Sequence, residues 1–159
     1  MRIRNANIYT EEHRFVRGDA AVENGRFVSC TGEPAGEEAV VDAEGMYLIP
    51  GLVDIHFHGC KGADMCDGTK EALDVITSYE ASVGVTSVCP ATMTIPKDEL
   101  LEVMKNAGSY EYSGGSHLVG INMEGPFINP KKKGAHKEEY IIPPSAAYVK
   151  KHQDIIRLL

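Results

Sequence analysis

Apolar and polar positions follow two rhythms along this chain. Over residues 1–49 the apolar positions fall in short runs separated by turn-forming residues. "DAAVENGRFVSC" (19–30) is the clearest case: Asn24-Gly25 stands between two such runs, and that dipeptide favours the left-handed backbone of a tight hairpin turn. "GEPAGEE" (32–38) is polar and turn-rich, and "AVVDAEGMYLI" (39–49) reads as a further strand pair about Glu44-Gly45. Residues 1–49 are therefore expected to form a small β unit.

From Pro50 the rhythm changes to strand–helix alternation. "LVDIHFH" (52–58) is an apolar, β-branched run of strand length. In "TKEALDVITSYEASVG" (69–84), Ala72, Leu73, Ile76, Tyr79 and Val83 share one helical stripe and Gly84 marks the stop. "VTSVCPATM" (85–93) is a second strand. "PKDELLEVMKNAG" (96–108) is a second helix, with Pro96 in its first turn and Asp98 and Glu99 near its positive end. "HLVGINMEG" (117–125) reads as a third strand and "PSAAYVKKHQDIIRLL" (144–159) as a third helix. Alternation with short connections predicts an α/β fold with a parallel sheet over residues 50–159. Three such units make either an open three-layer domain or the front part of a (β/α)8 barrel, which takes about 250 residues. A last helix that reaches Leu159 without a capping residue favours a truncated barrel.

Composition narrows the class. Apolar residues make up 43% of the 159 and charged residues 25%, enough for one packed core. A net charge of −7 argues against nucleic acid and anionic membrane surfaces as partners. No apolar run approaches the roughly 20 residues of a membrane span, and the N-terminus lacks the apolar stretch of a secretory signal. A cytoplasmic protein is expected. The cysteines at 30, 60, 66 and 89 form no CxxC pattern and are expected to be reduced thiols, several of them buried.

Candidate chemistry gathers at strand ends. Side chains alternate along a strand, so Asp54, His56 and His58 share one face near its C-terminal end, the edge where parallel α/β folds build their sites. Two imidazoles so placed can hold a metal ion, with Asp54 orienting a ring or adding a ligand; the plainer alternative is a pair of core histidines bonded to carbonyls. Glu124 follows the third strand, and Gly125-Pro126 would stop that strand on the same rim. Three such ligands from two strands suit zinc or a similar divalent ion. In "NPKKKGAHKEE" (129–139), Lys131–Lys133 read as a solvated loop or as a cationic one suited to an anionic substrate, and His136 lies on the loop leaving the rim.

These motifs carry a resemblance. "PGLVDIHFHG" resembles the first-strand signature of the amidohydrolase superfamily, and "GVTSVCPATMT", "NMEGPFINPKKKGAH" and Cys60-Lys61-Gly62 resemble the N-acetylglucosamine-6-phosphate deacetylase family within it. The resemblance implies a partial (β/α)8 TIM-type barrel over 50–159, its first three β/α units, and a small β-sandwich portion over 1–49. It implies that Glu124 binds the catalytic metal and that His56 and His58 allow a second one. Zinc is the leading ion, with iron or another divalent ion as alternatives. Ala135 and His136 match positions that contact the amino-sugar phosphate. The general-base aspartate and the other metal histidines match nothing in residues 1–159 and are expected downstream of Leu159. The chain alone is then an inactive front portion of a homo-oligomeric, dimeric enzyme. Other amidohydrolases, dihydroorotase-like or dipeptidase-like, share the DxHxH element, and a non-catalytic regulatory relative is the alternative of another class.

Overall fold

The computed structural model describes residues 1–28, 39–111 and 114–159. They fall into two units, Met1–Pro50 and Gly51–Leu159.

The first unit is one mixed sheet of β1 (Arg2–Tyr9), β2 (Phe15–Glu23), β3 (Arg26–Val28), β4 (Val40–Asp42) and β5 (Tyr47–Leu48). The β2–β3 hairpin turns at Asn24 and Gly25, whose φ angles of 50° and 73° are the left-handed values this dipeptide tolerates. β4 and β5 are not the hairpin that their sequence suggested. Each pairs in parallel with β1, with Ile3 opposite Val41 and Ile8 opposite Leu48. Asn5 sits at an irregularity of β1 with φ 61°, and its side-chain amide donates to Asp42 Oδ1 at 3.0 Å. Among the described residues these strands make a single sheet, without a second facing layer. Residues 29–38, with Cys30 and the turn expected at 32–38, lie outside the described residues.

The second unit opens with β6 (Leu52–Asp54) and a small hairpin, β7 (Gly59–Cys60) with β8 (Ala63–Asp64). Then come α1 (Lys70–Ser82), β9 (Val85–Val88), α2 (Lys97–Gly108), β10 (His117–Leu118), β11 (Ile121–Asn122), α3 (Ala146–Lys151) and β12 (Ile156–Leu158). All pairs of the main sheet are parallel: β6 with β9, β9 with β10 and β11 with β12, and an Ala91–Asn122 bridge joins the two strand groups. This is the sequential order of repeated β/α units, and no closed barrel is formed by the described residues. No helix among them is long and apolar enough to cross a membrane.

Helix α1 is capped by Thr69, whose hydroxyl accepts the Ala72 N–H, and it buries Ala72, Leu73 and Ile76. Tyr79 is only half-buried and Val83 is exposed; Thr77 and Glu80 complete the inward face instead. Helix α2 buries Leu100, Val103, Met104 and Ala107, with Pro96 at its N-cap rather than within its first turn. These faces close over Ile121, Met123 and Ile156.

Three predicted elements differ. The strand expected over 52–58 leaves the ladder after Asp54. The strand expected over 117–125 divides at Gly120, where φ is 146° and a side chain would strike the Ile155 carbonyl and Arg157. The helix expected over 144–159 ends at Lys151, and "IIRLL" becomes a strand because Ile156 packs into the core in register with Ile121. β-branched residues favour that extended path.

Candidate metal centre

The segment after β6 carries two histidines and is shaped by its own carboxylate. Asp54 Oδ1 accepts the backbone N–H of His56 at 3.0 Å, so it ends the strand and is neither a ring partner nor a member of the ligand cluster. The chain after β9 then holds the turned segment, with the N–H of Ala91 donating to the Phe57 carbonyl at 2.7 Å. Glu124 follows β11, which the same stretch also fixes through the Thr92 N–H donating to the Asn122 carbonyl at 3.0 Å. Gly125 has φ 74°, and a Cβ there would overlap the Thr94 hydroxyl.

The result brings His56, His58 and Glu124 together, each offering a ligand atom within 4.8 Å of the others. Nε2 of His56 lies 3.4 Å and Nε2 of His58 3.3 Å from Glu124 Oε2. Neither contact has hydrogen-bond geometry: Oε2 is buried without a hydrogen-bond partner. Such an orphaned carboxylate oxygen is costly unless something else compensates it.

Its neighbour shows what compensates it. Nδ1 of His58 is 3.2 Å from the Ala91 carbonyl, which only accepts, so Nδ1 carries a proton and in the neutral ring Nε2 presents a lone pair. A lone pair and a carboxylate oxygen thus face each other at 3.3 Å. Two ligands at zinc distances of about 2.0–2.1 Å and a tetrahedral angle stand about 3.4 Å apart. The donor set and spacing fit a divalent ion.

The fourth side chain at Glu124 is His136, which is buried on the loop after it. The Thr94 N–H donates to its Nδ1 at 3.1 Å, with the Thr94 hydroxyl at 2.8 Å. An N–H can only donate, so Nδ1 is the acceptor and Nε2–H donates to Glu124 Oε1 at 3.1 Å. His136 therefore occupies one carboxylate oxygen and leaves Oε2 for an ion. Ala135 is exposed and, with His58, Glu124, Lys132, Lys133 and His136, lines a cavity of about 350 Å³. Lys133 Nζ donates to the His136 carbonyl at 3.1 Å, whereas Lys131 and Lys132 are solvent-exposed.

Cys66 lies nearby, accepting the Met93 N–H at 3.2 Å. Burial pushes its thiol up to about 11, helped by Asp64 and Asp67, and it stands outside the His56–His58–Glu124 cluster. Cys89 is buried and Cys60 half-buried. His152 caps α3, away from a strand end. Three partners escaped the sequence reading: Ala91, Thr94 and Asn122. Asn122 carried a usable signal, since it precedes Glu124 by two residues and a strand sends both to one side.

No family model matches the chain. N-acetylglucosamine-6-phosphate deacetylase of Bacillus subtilis (strain 168) is 31% identical over 160 residues, 95% of this chain and 40% of that protein. N-acetylgalactosamine-6-phosphate deacetylase of Escherichia coli O157:H7 is 32% identical over 103 residues, 64% of this chain and 27% of the relative. The crystal structure of N-acetylglucosamine-6-phosphate deacetylase from Pasteurella multocida matches with a TM-score of 0.83 at 25% identity, over 98% of this chain and 42% of that one. The chain thus spans about 40% of the length of the first of these relatives. Similarity of sequence and fold over nearly its whole length makes the chain a homologue of the N-terminal part of the N-acetylglucosamine-6-phosphate deacetylases.

Proposed function

We propose that this chain forms the metal-binding side of a hydrolase that removes acetate from an N-acetyl amino-sugar 6-phosphate, N-acetylglucosamine 6-phosphate foremost. One observation carries the reading: the buried, unpartnered Oε2 of Glu124 faces the Nε2 lone pair of His58. Homology to deacetylases over 95% of the chain supports the reaction class. A divalent ion held there, zinc foremost, supplies polarisation of the amide carbonyl and lowers the pKa of a water. His58 and Glu124 hold it, and His136 keeps the carboxylate in place. The Ala135–His136 corner borders the cavity for the sugar, and Lys132 on the same wall suits the phosphate charge.

A proton-transferring aspartate has no counterpart among the residues at this site, so the 159 residues alone are expected not to turn over substrate. A phosphorylated sugar substrate, which does not cross membranes unaided, suits a cytoplasmic reaction. Exposed Leu52, Val53 and Ile55 along and just after β6 suit self-association. The test is acetate release from the glucosamine and galactosamine substrates by the chain alone and by a chimaera. The chimaera joins the chain to the unmatched remainder of the Bacillus subtilis relative. Activity in the chimaera, abolished by Glu124→Gln, is the expected result; a zinc-loaded, folded chimaera without activity on either sugar overturns the reading.

A further inference from the structure

His56 and His58 stand at nearly the same distance from Glu124 Oε2, 3.4 and 3.3 Å. Their second ring nitrogens set them apart. That of His58 meets a carbonyl, as a metal-bound imidazole ordinarily does. That of His56 meets Nδ2 of Asn122 at 3.0 Å. The same amide nitrogen lies 2.9 Å from the Ile55 carbonyl, which only accepts, so Ile55 fixes this atom as the NH₂ group. An NH₂ group only donates. Nδ1 of His56 is therefore the acceptor, and a neutral ring then carries its proton on Nε2, the nitrogen nearest Glu124.

We propose that Asn122 holds His56 in the tautomer that cannot ligate, so that Glu124 and His58 take the ion while His56 stands by as an N–H donor. The inference rests on the metal reading of the site and sharpens it. For His56 to bind through Nε2, its proton must move to Nδ1, and Asn122 must turn its oxygen toward the ring. That turn would set two oxygens against each other at Ile55 and forfeit a hydrogen bond. Asn122 thus decides how many imidazoles the site offers. An alanine at this position removes the donor from Nδ1 without setting an oxygen against the Ile55 carbonyl, and so frees His56 to take the ligating tautomer.

Long-range ¹H–¹⁵N correlation spectra of the ion-free 159-residue chain read the tautomers of neutral rings directly. Nε2–H for His56 beside Nδ1–H for His58 is expected; Nδ1–H for His56 overturns the inference. Zinc titration of the same chain and its variants follows. His58→Ala is expected to weaken zinc binding by about 10- to 100-fold, and His56→Ala by less than about twofold. Asn122→Ala is expected to tighten binding by about tenfold and to make His56→Ala costly in its background. Equal losses from the two histidine variants in the unaltered chain overturn the inference. If the unaltered chain takes no zinc, the metal reading falls, and the tautomer of His56 still decides this inference alone. If Asn122→Ala fails to fold, the tautomers and the two histidine variants decide it.

Discussion

In the sheet of Met1–Pro50, Phe27 leaves 70% of its surface in solvent, and Phe15, Val40, Val41 and Tyr47 are exposed as well; in Gly51–Leu159, Leu73 and Ile76 are closed off, at 1% and 0%. Among its described residues the first unit buries only small apolar side chains, Ala6, Ala21 and Ala43. Its order comes from backbone pairing and local turn chemistry: the Asn24-Gly25 turn, the Asn5–Asp42 bond, and two short strands laid along β1. The second unit makes fewer ladder bonds per strand and fastens its short strands with a packed helix–sheet core. The difference teaches where a substitution is felt. Hydrogen bonding contributes a modest net amount per bond, whereas burying a leucine removes apolar area from water and fills space that cannot collapse.

The largest expected effect follows from that contrast. Leu73→Ala should destabilise the second unit by about 2–5 kcal/mol, whereas Phe27→Ala should stay within about 0.5 kcal/mol. Denaturant unfolding, with hydrogen exchange to locate the loss, separates the two; comparable costs would break the comparison. Zinc at a hundredfold excess over its Kd should stabilise the second unit by about 2.7 kcal/mol and leave exchange from β1 and β2 unchanged. Glu124→Gln should remove that protection. Gly25→Val forces a branched side chain into φ 73° and should cost about 1–2 kcal/mol, confined to the first unit. A loss spreading to α1 or α2 would show that the units are not separate in stability.

The smallest effect concerns pH. The folded Cys66 thiol holds its proton up to about 11, against 9.0 as its ordinary value. The unfolded chain therefore loses that proton first, and the stabilisation is fully present below about pH 9 and lost as pH rises toward 11. Solvent reaching the partly exposed side chain keeps this to about 1 kcal/mol. Cys66→Ser should flatten the alkaline limb of the second unit's stability curve; an unchanged limb would contradict the burial of the thiol.

What could be read from the sequence was local. Asn24-Gly25 announces its turn because few other dipeptides accept two left-handed residues, and Thr69 and Gly84 bracket α1 through capping chemistry that needs no tertiary partner. The convergence of His56, His58 and Glu124 was legible because each follows a strand of the parallel sheet, and the strand-end rule acts at short range. What escaped depends on distant partners. "PSAAYVKKHQDIIRLL" has helical residues to Lys151, but only the register of Ile156 against Ile121 reveals the strand that follows. β4 and β5 look like a hairpin until β1 is known to offer both of them the same edge. Asp54 looked like a ligand because its spacing matches the histidines, yet the nearer backbone N–H of His56 claims it. His136 was expected at the substrate; its contacts with Thr94 and Glu124 make it a brace for the carboxylate.

The short stretch after β9 reaches most of the centre. Ala91 donates to Phe57, accepts from His58 and bridges Asn122, while Thr92 donates to Asn122. His56 and Asn122 are 66 residues apart in the chain. Considered as an order of events during folding, closing so long a loop is slow, and no local contact rewards it before the middle strand is seated. The centre is therefore expected to assemble after the helix–sheet core. In stopped-flow refolding, competence to bind zinc should lag the protection of α1 and α2 amides; zinc capture preceding that protection would mean the ion nucleates the sheet instead.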